Sequence, residues 1–138
     1  MAGMDRPAIL VPDLESALAA ADAAARTGIA VALLSEKDCA LAAGVGWFGA
    51  LVRAARGRAP VTAVAGILDC GDRPDHVQAA FREGLDAVFR GPARIAEKLE
   101  SIAGKSGRSL FRRRPRALKI GDPRDPDAIA AALRRAAS

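Results

Sequence analysis

VTAVAGILDCGDRPD, residues Val61 to Asp75, is the stretch that decides the fold. Val61–Leu68 is the longest and most apolar short run in the chain, as expected of a central strand buried on both faces. LDCGD, Leu68 to Asp72, ends that run. Asp72-Arg73-Pro74-Asp75 then supplies a capping acid, an early proline and an acid in the first turn, which together start a helix. A strand that passes through a tight glycine turn straight into a helix is the repeating unit of α/β proteins.

The same alternation extends in both directions. Further apolar runs lie at Ala8–Val11, Ile29–Leu34, Ala87–Phe89 and Ala117–Ile120. Asp13 precedes LESALAAADAAAR, with apolar residues at helical spacing. Ser35, with Asp38 three residues on, resembles a capping box. Gly91-Pro92 opens ARIAEKLESIAG, and Asp125-Pro126 opens DAIAAALRRAA. Gly28, Gly57, Gly84 and Gly104 fall where helix C-terminal caps are wanted. Helical sequence over 36–56 is interrupted by Gly44, Gly46 and Gly49, which predicts two pieces. Five strands alternating with five helices predict one α/β domain over residues 1–138. Its expected form is a three-layer sandwich around an open, mainly parallel five-stranded sheet. Right-handed crossovers favour the flavodoxin-like order 2-1-3-4-5, with the last strand at an edge. Half of a (β/α)8 barrel gives a similar string, but about four units cannot close a barrel alone, so that alternative ranks second.

Charge is distributed unevenly. KSGRSLFRRRPRALK, Lys105 to Lys119, holds seven Lys/Arg and no acid; the residues before it carry −2 and those after it 0. The net +5 and the pI near 10.0 therefore belong to one segment. Residues 104–116 are expected to form a long basic loop between the fourth helix and the fifth strand. Cys39 and Cys70 form no CxxC pair and no zinc spacing, which predicts reduced thiols in a cytoplasmic protein. The N-terminal MAGMDRPAILVPD carries an acid early and too short an apolar run for a signal peptide. Cys39–Val52, the longest uncharged stretch, suits a buried helix better than a membrane span, so no membrane partner is expected.

No catalytic signature emerges. GVGWFG, Gly44 to Gly49, matches G-x-G-x-x-G, with Asp69 twenty residues after it. It does not follow a strand directly, however, and Trp47 and Phe48 put bulk where a pyrophosphate must approach. The GKS at Gly104–Ser106 lacks the first glycine of a phosphate loop, since Leu99 stands there. No cofactor and no metal site are expected. LDCGD sits where open parallel sheets bind ligands. Cys70 is a thiol-enzyme candidate through the helix N-terminus, opposed by Asp69 and Asp72 and without a histidine relay from His76; the simpler reading makes it a buried filler. Receiver domains of bacterial signalling share the expected fold, yet only one or two of their functional elements have counterparts here, Asp69 among them. Arg90, beside Gly91-Pro92, either holds a phosphate or carboxylate or pairs with Asp69 or Asp72.

The candidate site is thus the C-terminal edge of the sheet: Asp13, Ser35, Asp69, Cys70, Asp72 and Arg90. A small anionic or phosphorylated ligand, bound without catalysis or in a regulatory role, is the expected function. Nucleic-acid binding through Arg112, Arg113, Arg114 and Arg116 is the alternative, with an acidic partner as a further occupant of that segment; Phe111 alone makes no stacking platform. A homodimer through Trp47 and Phe48 is a further reading. The strand-LLS ending, the helix AGVGWFGALVRAAR, and LDCGD-x-P followed by AAFREGLDAVFRG resemble a group of small bacterial proteins. This resemblance spans residues 8–92 and implies a cytoplasmic α/β domain without an established activity. It does not reach the basic segment.

Overall fold

The fold is described from a computed structural model, which covers residues 6–60 and 63–138. Val61, where the central run begins, lies outside the described residues. The elements are β1 (Ala8–Leu10), α1 (Leu14–Thr27), β2 (Val31–Leu34), α2 (Cys39–Ala42), α3 (Val45–Arg56), β3 (Val64–Asp69), α4 (Pro74–Arg82), β4 (Asp86–Val88), α5 (Ala93–Ser106), β5 (Leu110–Phe111), β6 (Ala117–Leu118) and α6 (Pro126–Ala137). The α/β class and the single parallel sheet flanked by helices are as the alternation predicts. β6 is an edge strand, also as expected, and Gly44 divides the second helical region into α2 and α3.

Strand number and order differ from the expectation. Among the described residues there are six strands, in the order β5-β4-β3-β2-β1-β6, and every pairing is parallel. The additional strand, β5, lies inside the segment expected to be a basic loop. Residues 104–106 of that segment finish α5, and Gly107 rather than Gly104 takes the left-handed cap. Asp86 recruits β5: its buried carboxylate accepts from the Ser109 amide at 2.8 Å, and the Ala87 amide donates to the Ser109 carbonyl at 3.2 Å. The order 2-1-3-4-5 fails because β2 lies between β1 and β3. Asp13, after β1, and Asp69, at the end of β3, are therefore separated by β2.

From β1 to β5 each strand is added on the same side of its predecessor. Right-handed crossovers then carry their helices over one face. The packing agrees: α1 lies against α6 and α3, α3 against α4, and α4 against α5. Ile9, Val31, Leu33, Val64, Leu68 and Ala87 meet this row. α1 is at once against the sheet and two helices, which is why Ala17, Ala20, Ala21 and Ala23 are fully buried; only small side chains allow so many close approaches. Gly66 serves the same purpose at the centre of β3, where a Cβ would stand 2.7 Å from Val52 Cγ2.

The opposite face is small. Ala32, Leu34, Ile67 and Val88 form its buried cluster, with Ala65, Phe111 and Ala117 packed on it and no helical residue among them. Phe111 and Ala117, which pack on it, flank the chain between β5 and β6. These strands lie on opposite edges, yet residues 112–116 alone join them. Phe111 to Ala117 spans at most about 22 Å of extended chain. A flat six-stranded sheet would hold its outer strands about 24 Å apart, before any offset along the strands. The sheet must therefore curl toward the 112–116 segment. As a ring, the strand order is that of a parallel barrel opened between β5 and β6.

Among the described residues no helix is long and apolar enough to cross a membrane. The tightness of the helix–sheet contact is measurable. Gly66→Ala is expected to cost about 1–3 kcal/mol through overpacking. Gly46→Ala, in α3 with nothing within 4 Å of the added Cβ, should instead stabilise by about 0.5–1 kcal/mol. Urea unfolding of the two variants checks the opposite signs.

Candidate functional site

The C-terminal ends of β2, β3 and β4 converge on one carboxylate. Asp69, the last residue of β3, is fully buried. Its Oδ1 accepts from the Gly71 amide at 3.0 Å. Its Oδ2 accepts from Nη1 of Arg114 at 2.8 Å and also from Nη1 of Arg90. Both arginine side chains are about a quarter exposed, so neither is wholly removed from solvent.

Local chain geometry places each partner. Ser35, just past β2, accepts from the Asp69 amide at 2.8 Å through its hydroxyl and from Nη2 of Arg114 at 3.0 Å through its carbonyl. Arg90 follows β4, and its amide donates to the Gly71 carbonyl at 2.7 Å. Gly71 makes the turn at φ 56, where an added Cβ would be 2.6 Å from Asp38 Oδ1. Asp38 sits in the left-handed region at φ 58 and accepts from Nη2 of Arg90 at 2.7 Å. Two acids and two arginines therefore form one chain of ion pairs, Asp38–Arg90–Asp69–Arg114.

Burial pushes the Asp69 carboxyl up, but the hydrogen bonds from Arg90 and Arg114 outweigh it and hold the group below its ordinary value. Arg90 is correspondingly raised, chiefly by its bond to Asp69. The arrangement is suited to charge-assisted binding. Arg90 and Arg114 meet at the ends of β3 and β4, the strands that lead into α4 and α5. Neither helix has a side-chain cap at its N-terminus.

Of the sequence-predicted residues, the structure brings together Ser35, Asp69 and Arg90. Asp13 instead caps α1, accepting from the Ser16 amide at 2.8 Å and hydroxyl at 2.7 Å, which lowers its pKa. Asp72 is exposed, and Arg73, not Asp72, stands at the N-cap of α4. The Ser35/Asp38 capping box does not form either; both residues serve the ion-pair chain. The Cys70 thiol is buried, and burial followed by the charge of Asp69 pushes it up to about 12. Cys39 is also raised by burial. Phe48 is fully buried and cannot present itself to a second copy, whereas Trp47 remains exposed.

In the basic segment Arg112 pairs with Glu100 and Arg114 with Asp69, while Arg113 and Arg116 are exposed. The sequence groups Arg114 with the other arginines of the basic segment and suggests a capping role for Asp38. The one signal for their role was an acid, Asp69, in an otherwise apolar strand, which requires cationic partners once buried. Among the described residues no three His, Cys, Asp or Glu side chains group so as to hold a metal ion. Comparison of the chain with known protein families and with curated proteins found no match.

Asp69→Asn is expected to cost about 3 kcal/mol or more near neutral pH, because two guanidiniums lose their shared anion. A depressed carboxyl stabilises the fold above its unfolded value of about 3.9 and loses that contribution as pH falls through the lower folded value. The gap between parent and variant should thus narrow at about pH 3. Urea curves at the two pH values test this; an unchanged gap would refute it. Labelling with iodoacetamide near neutral pH should leave Cys70 unmodified until the protein is unfolded, given its high pKa and burial.

Proposed function

We propose that this domain binds a small anionic or phosphorylated ligand at the C-terminal edge of its sheet and catalyses no reaction there. The observation that carries the reading is the convergence of Arg90 and Arg114 on Asp69, at the ends of strands whose following helices, α4 and α5, have no side-chain cap. An anion's negative charge complements these donors, and its oxygens match the planar guanidinium fork. Asp38 holds Nη2 of Arg90 and is half exposed, so it is the contact an incoming anion displaces.

Nucleic-acid binding through the same segment is less well supported, since Arg112 and Arg114 are engaged within the fold and only Arg113 and Arg116 of the four are unpaired among the described residues. Thiol catalysis by Cys70 gains nothing from a buried sulfur with a pKa of about 12.

Thermal unfolding with inorganic phosphate and pyrophosphate, against chloride at matched ionic strength, tests the proposal. At about a hundred times Kd, binding should raise the midpoint by several degrees. Asp38→Asn keeps a residue that tolerates left-handed backbone and removes the competing charge, so it should strengthen the response. Arg90→Lys should weaken it, because an ammonium cannot offer two parallel donors. Identical midpoints in phosphate, pyrophosphate and chloride for the parent and for Asp38→Asn would reject the proposal.

A further inference from the structure

A second strand-end opening lies between β1 and β6. These strands pair only at Ala8↔Ala117 and Ile9↔Leu118. Beyond Leu118 the chain leaves the sheet on its way to α6, while Leu10 continues in register with Leu34 of β2. The divergence leaves a cleft of about 510 Å³, whose walls include Ile9, Leu10, Pro12, Leu118, Lys119 and Ile120. That volume falls within the roughly 300–1,000 Å³ typical of small-molecule sites. Crevices outside the carboxyl ends of parallel strands are where such sheets take ligands.

The chemistry of the walls is specific. Leu10 is 39% exposed, although its strand neighbours Ala8 and Ile9 are buried. Leu118 and Ile120 are half-buried against the main core, and Pro12 contributes no amide donor. Lys119 is the single charged side chain of the lining and is exposed. Asp122, the next acid along, is engaged by Arg124: it accepts from the Arg124 amide at 2.9 Å and lies 3.5 Å from its Nε.

We propose that the β1–β6 cleft binds an amphiphilic monoanion: a small ligand with an alkyl or aryl body against Leu10, Leu118 and Ile120 and a carboxylate paired with Lys119. A body of this kind removes apolar wall from water, which is the main source of affinity. One ammonium balances one negative charge, whereas a multiply charged phosphate would bring unmatched charge against hydrocarbon. The cleft shares no residue with the Asp69 cluster, so this site and the anion site proposed above stand or fall separately.

Decanoate, below its micelle-forming concentration, is the probe, followed by amide NMR with decanol and decyltrimethylammonium alongside. Decanoate should shift the Leu10, Leu118, Lys119 and Ile120 amides saturably and bind more tightly than decanol, with the ammonium weakest. Lys119→Glu, a change at an exposed position, should weaken decanoate about fivefold or more and leave decanol unchanged. Arg90→Lys should leave decanoate binding as it is. Absence of saturable shifts at these four amides would overturn the proposal. So would equal responses to the three probes that Lys119→Glu does not alter, since they would show unspecific detergent adsorption.

Discussion

The carboxylate of Asp69 is the constraint on which the remaining architecture depends. A charge buried at the end of a central strand is costly unless it is paired and hydrogen-bonded. Here its partners come from β4, through Arg90, and from the link between β5 and β6, through Arg114. Arg114 also reaches the Ser35 carbonyl, so one side chain ties that link to the ends of both β2 and β3. The residues at either end of that link, Phe111 and Ala117, pack on the smaller apolar cluster of the sheet. Electrostatic satisfaction and burial of that cluster are thus a single problem with one solution.

The same interaction explains why a strongly basic segment belongs on a slightly acidic body. Its charge is divided between internal and external tasks. Arg112 and Arg114 are anchored on Glu100 and Asp69, and Arg113 and Arg116 face solvent. An arginine serves better than a lysine at position 114, because the guanidinium bonds a carboxylate with one nitrogen and a carbonyl with another in fixed geometry.

Much of the fold was legible because local signals were strong. Asp13 and Asp125 cap their helices as their spacing suggests, and Gly28 ends α1 in the left-handed conformation. The apolar runs marked every strand except β5. Leu110–Phe111 is too short to carry periodicity, and its pairing arises from Asp86, more than twenty residues earlier. Strand order was not legible, since it follows from which crossovers pack best and not from any local pattern. Of the candidate site, Ser35, Asp69 and Arg90 could be placed from their position at strand ends. Asp38 and Arg114 could not, because their partners are distant in sequence and both had plausible local roles.

The pairing of β1 with β6 has a consequence for how the chain reaches this state. Ala8 and Ala117 are neighbours in the sheet although more than a hundred residues separate them. Closing so large a loop has an entropic cost that local contacts do not offset, so such pairings slow folding. The strands from β1 to β4 can add in the order of synthesis, each beside its predecessor. One side of β1, by contrast, must wait exposed until nearly all the chain has emerged. During that interval it is a free parallel-strand edge, the kind of surface at which intermediates associate wrongly. Its brevity, three residues, limits the time-dependent hazard that the topology creates.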